Sequence, residues 1–183
     1  GGDAIVVDQS IQSIAQLRGK KIACALGWPI NTRLRIILKA GGLTEKDVKI
    51  VNFASPIDAK NAYISGNVDA TVVWSPDNFA CLDARPSREL ITTADMPYTI
   101  VDVLVAKRST LEKKRDAFEK LVKAWLTANA EVQNQGKYQW AAEGYKKAFN
   151  AEDPISDLME GLKSFRFMTY GDNQNLFGLN PEY

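Results

Sequence analysis

Apolar positions recur along the chain in two rhythms that alternate at short intervals. Ala4, Ile5, Val6 and Val7 form a β-branched run, which predicts a strand over residues 3–7. Ser13 is placed to cap a short helix that stops at Gly19. Residues 21–26 are a short apolar run with the character of a buried strand, broken by Gly27, Trp28 and Pro29. Leu34, Ile37 and Leu38 then recur at helical spacing until Gly41 and Gly42 end the pattern. A second strand is predicted over 48–53. Ser55-Pro56 opens a second helix, with a cap residue before a proline at the first helical position, and Ala59, Ala62 and Tyr63 mark its inner face before Gly66. A third strand is predicted over 68–74, and Ser75-Pro76 repeats the cap-and-proline start.

Strand–helix–strand–helix–strand at this spacing implies a mainly parallel sheet flanked by helices, with right-handed crossovers. Each strand then ends in a loop that opens a helix. In such sheets ligands sit outside the carboxyl ends of the strands. The loops to search are therefore 27–32, 54–55 and 74–77.

Residues 83–97 read as loop, with a short strand near Leu90 and Ile91, and residues 98–106 as a long β-rich stretch. Beyond it the pattern turns helical. Ser109 and Glu112 have the spacing of a capping box, and Phe118, Leu121, Val122, Trp125 and Leu126 form one apolar stripe along a long helix. Two more helices are predicted over 137–149 and 154–164, the latter capped by Asp153. A bare stripe of that size is seldom tolerated, so it is expected to be covered by the rest of its own lobe or by a second copy of the chain.

Composition narrows the chemistry. Among 183 residues, 45% are hydrophobic and 25% charged, and the formal net charge is +1. That balance gives no basic field of the kind a nucleic acid or an anionic membrane needs. No apolar run approaches the ~20 residues that span a bilayer, and a signal sequence, if there is one, lies outside this sequence. Histidine is absent, which removes Ser-His-Asp and Cys-His catalysis and any histidine-containing metal site from this chain. Cys24 and Cys81 are too far apart for a CxxC motif. They read as two small buried residues or, in an oxidising compartment, as a disulfide.

Several segments resemble one family in the order and spacing that family shows. Residues 11–23 (IQSIAQLRGKKIA) resemble the opening of the second lobe of solute-binding proteins for sulfonates, taurine, nitrate and thiamine precursors, the NMT1-like group. Residues 40–48 (AGGLTEKDV) are similar to the segment after that lobe's first helix. Residues 66–76 (GNVDATVVWSP) resemble the block G-x-V-D-A-x-V-V-W-x-P. Residues 98–106, with Asp102, resemble the strand that crosses back to the first lobe, and 109–134 the long helix after it. The tail at 172–178 is similar to the family's C-terminal region.

The resemblance implies a periplasmic-binding-protein-like type II α/β fold. It implies residues 1–9 as the end of lobe 1 or a hinge strand, 10–97 as a complete lobe 2, and 98–183 as the return hinge and C-terminal part of lobe 1. The N-terminal part of lobe 1 would precede residue 1. The implied function is capture of a small polar anionic or zwitterionic solute for an ABC permease, in the periplasm or another extracytoplasmic space, with no cofactor, no metal and no turnover.

Candidate ligand-binding residues are Gly27, Trp28, Asn31, Thr32, Trp74, Ser75, Asp77 and Asp102. Gly27 permits close backbone approach or simply turns the chain. Asn31 and Thr32 lie in a first helical turn, where free N–H groups favour an anion, or they only cap it. Trp28 can stack on a ligand or cover the cleft. Trp74 lines the ligand or belongs to the core. Ser75 and Asp77 are explained by capping and first-turn charge as well as by ligand contact. Asp102, in an apolar strand, requires a partner. An enzyme on the same fold is the alternative function, and the family's histidine-dependent synthases do not fit a chain without histidine. A sensory or scaffold domain is a third reading.

Overall fold

The computed structural model describes residues 2–27, 29–96 and 99–179. The chain divides into two compact units, Gly1–Val101 together with Ser156–Ser164, and Asp102–Ile155 together with Phe165–Tyr183. The first unit thus runs to Val101 and takes in nine residues, Ser156–Ser164, from the C-terminal region.

The first unit is built on one five-stranded sheet in the order β3-β2-β4-β1-β5. The strands are β1 (Asp3–Asp8), β2 (Lys21–Cys24), β3 (Lys49–Asn52), β4 (Ala70–Trp74) and β5 (Ser87–Thr92). The three predicted α/β strands form, each shorter than its apolar run, and β2 pairs in parallel with both β3 and β4. The other two pairings are antiparallel, because β1 lies between β4 and β5 and runs against both. The sheet is thus mixed. Residues 3–8, expected as a lobe-1 or hinge segment, lie inside it.

Alternation along the strands separates two apolar layers. Ile5, Val7, Ile22, Cys24, Ala70 and Val72 face one side, where α1 (Pro29–Ala40) lays down Leu34, Ile37 and Leu38. Ala4, Val6, Ala23 and Val73 face the other, against α2 (Pro56–Ile64) with Ala59, Ala62 and Tyr63, and α3 (Asp77–Ala84) with Cys81. Cys24 and Cys81 are therefore free thiols on opposite faces of the sheet, and the disulfide alternative is set aside.

Local signals work where the backbone needs them. Ser55 accepts the Asp58 N–H at 3.2 Å, and Pro56 starts α2. Gln16 turns back on the Ser13 N–H at 3.2 Å to cap a 3-10 turn at Ile14–Leu17. A Cβ on Gly41 would run into the Ile14 side chain, so glycine lets the end of α1 sit on that turn.

The second unit holds α4 (Arg108–Lys113), α5 (Arg115–Gln135), α6 (Tyr138–Phe149) and α8 (Tyr170–Leu176). Helix α7 (Ile155–Ser164) contributes residues 156–164 to the first unit. Two expectations fail here. Residues 99–106 form no strand and find no strand partner among the described residues, so their β-propensity is unused. The long helix is interrupted at Lys114, and α4 begins at Arg108 with Lys107 at its N-cap, so Ser109 and Glu112 make no capping box. Of the two covers expected for the apolar stripe, its own lobe does not supply a full one within this chain, which leaves a second copy as the route to test. Trp125 is 58% exposed, Leu121 and Val122 are also exposed, and a groove of about 960 Å³ runs past Leu104, Leu111, Phe118, Val122 and Tyr170. Thr169 caps α8, accepting the Asp172 N–H at 3.1 Å while the Asp172 carboxylate accepts the Thr169 N–H at 2.9 Å.

Candidate functional site: the carboxyl edge of the parallel strands

Strand direction decides which loops meet. Strands β2 and β4 are parallel neighbours, and each continues into a helix at its carboxyl end. The helix after β2 packs on one face of the sheet and the helix after β4 on the other. Two neighbouring strands whose helices depart to opposite faces leave a crevice outside their carboxyl ends, the place where open α/β sheets hold ligands.

Most of the candidates come to this edge. Gly27 has a left-handed φ of +98° and is exposed, in the turn between β2 and α1. Thr32 is exposed near the start of α1. Trp74 ends β4, half-buried, with part of its ring against the core. Ser75 follows it and Asp77 begins α3. Trp28 lies outside the described residues, as does the Asn31 side chain. Asp102 is the exception. It belongs to the second unit and is exposed on a segment without strand structure, so solvent, rather than a buried partner, meets its carboxylate.

Bonds within the first unit define what these groups are free to do. The Leu26 N–H donates to Asn52 Oδ1 at 2.9 Å, which ties the β2 loop to β3. The Asp77 carboxylate accepts from Lys60 Nζ of α2 at 2.6 Å, both half-buried, so a cation from its own chain already faces it. Ser75 does not cap α3 as expected. The Ser75–Pro76 peptide is cis, Pro76 takes the N-cap position, and no side chain caps the helix. The Ser75 N–H donates to the Gly2 carbonyl at 2.7 Å, while its Oγ is enclosed without a hydrogen-bond partner.

Arg33 is the residue the pattern of candidates omitted. It is 4% exposed, and its guanidinium stands 3.3 Å from the Asp3 carboxylate without hydrogen-bond alignment. Burial pushes its pKa down and Asp3 opposes that shift, which leaves an arginine charged in any case. Asp3 is opposite Trp74 in the β1–β4 register, so this pair flanks the same edge. A signal was present in the sequence: Arg33 sits one position before Leu34 and four before Ile37, on the apolar face of α1.

Neither cysteine is a nucleophile at neutral pH. Both are fully buried, and burial pushes the Cys24 thiol up to about 11 and the Cys81 thiol up to about 12. No cluster of three or more metal-ligating side chains occurs among the described residues. Among them, too, no helix is long and apolar enough to cross a membrane.

Comparison with known proteins gives a consistent neighbourhood. A putative aliphatic sulfonates-binding protein of Escherichia coli (strain K12) is 28% identical over 131 residues, which are 72% of this chain and 40% of the relative. The solved periplasmic aliphatic sulphonate binding protein SsuA from Escherichia coli superposes with a TM-score of 0.77 at 24% identity, over 91% of this chain and 56% of that one. The desulfurization enzyme DSZB shares the fold at a TM-score of 0.58 and 17% identity, over 87% of this chain and 56% of that one. The chain thus spans about half the length of these relatives. The family model described as NMT1/THI5 like matches residues 4–136, well over half of the chain. With its α/β sheet and the order of its segments, the chain belongs to the NMT1/THI5-like family, and its fold is that of the periplasmic sulfonate-binding proteins.

Proposed function

We propose that this chain is part of the solute-binding component of an ABC-type uptake system. It captures a small polar anionic or zwitterionic solute at the carboxyl edge of β2 and β4 and does not turn it over. The observation that carries this reading is the pair of parallel neighbours, β2 and β4, whose helices leave to opposite faces, in a chain whose family relatives include a putative aliphatic sulfonates-binding protein. The free N–H groups at the start of α1 and the close backbone approach allowed at Gly27 suit an oxyanion. Alkanesulfonates are therefore the first solutes to test.

On this reading Gly27, Trp28, Asn31, Thr32, Trp74 and Ser75 meet the solute. Asp77 orders the edge through Lys60. The first compact unit is one lobe, and the second belongs to the other lobe of the whole protein, with Asp102 on the connecting segment. The whole protein works outside the cytoplasm and delivers the solute to a permease. An enzyme on this fold is disfavoured by two thiols held protonated and by the lack of histidine. Self-association through the uncovered α5 stripe is a separate expectation, tested by light scattering across a concentration series.

A thermal-shift panel of ethanesulfonate, taurine, nitrate and neutral sugars tests the reading. A ligand at 100 times its Kd stabilises the folded state by about 2.7 kcal/mol. A shift with at least one anion and none with the sugars is expected. No shift with any of the anions, or turnover of one of them, contradicts it.

A further inference from the structure

Helix α7 lies more than 80 positions along the chain from β4, yet residues 156–164 are part of the first unit. Leu158 is buried there, and so is Gly161. Glycine inside a helix lowers its stability relative to alanine, so a mid-helix glycine calls for a reason. The reason here is close approach. A Cβ on Gly161 would stand 3.5 Å from the Cβ of Ser75. An alanine would just fit, and a larger side chain would force α7 away from the end of β4.

This places α7 against the residue at the carboxyl end of β4 whose Oγ is enclosed and unpartnered. An enclosed hydroxyl without a partner costs free energy that is recovered when solvent or a solute's acceptor reaches it. Helix α7 packs beside that hydroxyl, so a move of α7 away from Ser75 would let a partner reach it. We propose that α7 is a strap over the solute site, which lifts from Ser75 to admit the solute and lets the Ser75 hydroxyl donate to one of its oxygens. This rests on the binding function proposed above and adds to it the element that controls access.

The separation of 3.5 Å lies at the short end of the roughly 3.5–4.5 Å between the Cβ atoms of a disulfide. The double variant Ser75→Cys/Gly161→Cys should therefore cross-link under oxidised glutathione. Cys24 and Cys81, buried on opposite faces, do not compete. Ethanesulfonate binding, measured by calorimetry, should weaken about tenfold or more in the oxidised form and recover on reduction. Failure to cross-link overturns the strap, and so does equal affinity in the two forms.

A second arm uses no solute. Alkylation of the single variant Ser75→Cys by iodoacetamide should be slow, and Leu158→Ala, which loosens α7, should speed it about tenfold. An unchanged rate overturns the strap even if the protein binds none of the anions. Conversely, a cross-link and a responsive alkylation rate with no anion bound would leave the strap in place and remove the solute reading.

Discussion

Thr71 provides a test in which removing a polar group should stabilise the protein. It lies in the middle of β4, fully buried, with Val6 of β1 and Ala23 of β2 as its register partners. It shares its side of the sheet with Val73, beneath α2 and α3. Its Oγ1 has no hydrogen-bond partner. An unsatisfied buried hydroxyl costs about 1–3 kcal/mol. Valine has nearly the same shape and the same χ1 restriction, so Thr71→Val removes that cost without opening a cavity. The expected gain is about 1–3 kcal/mol, and each kcal/mol raises Tm by roughly 2–4 °C in a chain of this size. Urea unfolding followed by circular dichroism reads the effect as a higher midpoint with an unchanged slope. A lower midpoint would show that the hydroxyl is satisfied in solution, and the reasoning about this strand would be wrong.

Gly41→Ala should destabilise by about 1–3 kcal/mol, because a Cβ there drives Ile14 off the end of α1; the same urea assay reads it, and no loss would mean that the turn at 14–17 yields freely. Leu38→Ala, at a fully buried position on α1, should cost about 2–5 kcal/mol, and a cost below 1 kcal/mol would contradict the placement of the core. The Asp8 carboxyl is held down at about 2 by the Ser10 hydroxyl and N–H and by Arg85. A lowered carboxylate pKa gives stability that is full above the ordinary value of 3.8 and lost as pH falls towards 2. Asp8→Asn should therefore flatten the acid side of the stability profile between pH 4 and 2, and an unchanged slope there would refute the assignment. Cys24 and Cys81 should resist alkylation in native protein at pH 8 and react only on unfolding, as thiols raised to about 11 and 12 require.

The first unit was legible in the sequence where several local signals agreed. Residues 21–24, 49–52 and 70–74 lie in short apolar runs set between helical segments, and they form the parallel strands the alternation demands. What pattern alone does not carry is pairing across distance. Nothing near residues 3–8 says that they enter between β4 and β5 and run against both. The stretch 98–106 has strand composition, but propensity yields a strand only where a neighbour offers hydrogen bonds, and residues 99–106 have none among the described residues.

The candidate site was legible to a similar depth. The carboxyl-edge rule gathered Gly27, Thr32, Trp74, Ser75 and Asp77, because strand direction fixes that edge. It did not separate Asp77, taken by Lys60, from Ser75, whose hydroxyl is unengaged. Ser75-Pro76 copies the spelling of Ser55-Pro56, yet only Ser55 caps its helix. Arg33 was hidden because a charged residue on an apolar helical face reads as a flaw in the pattern until Asp3 is seen beside it. The approach of Gly161 to Ser75 spans Asp102–Ile155 of the second unit in sequence and leaves no local mark.

The central claim is that the carboxyl edge of β2 and β4 holds a small anion. A crystal structure of the chain grown with an alkanesulfonate tests it most directly. The account predicts density for the sulfonate outside the ends of β2 and β4, within hydrogen-bond distance of the N–H groups that open α1 and of Ser75 Oγ. A sulfonate bound only elsewhere, such as in the apolar groove along α5, or density for a desulfonated product, would contradict it.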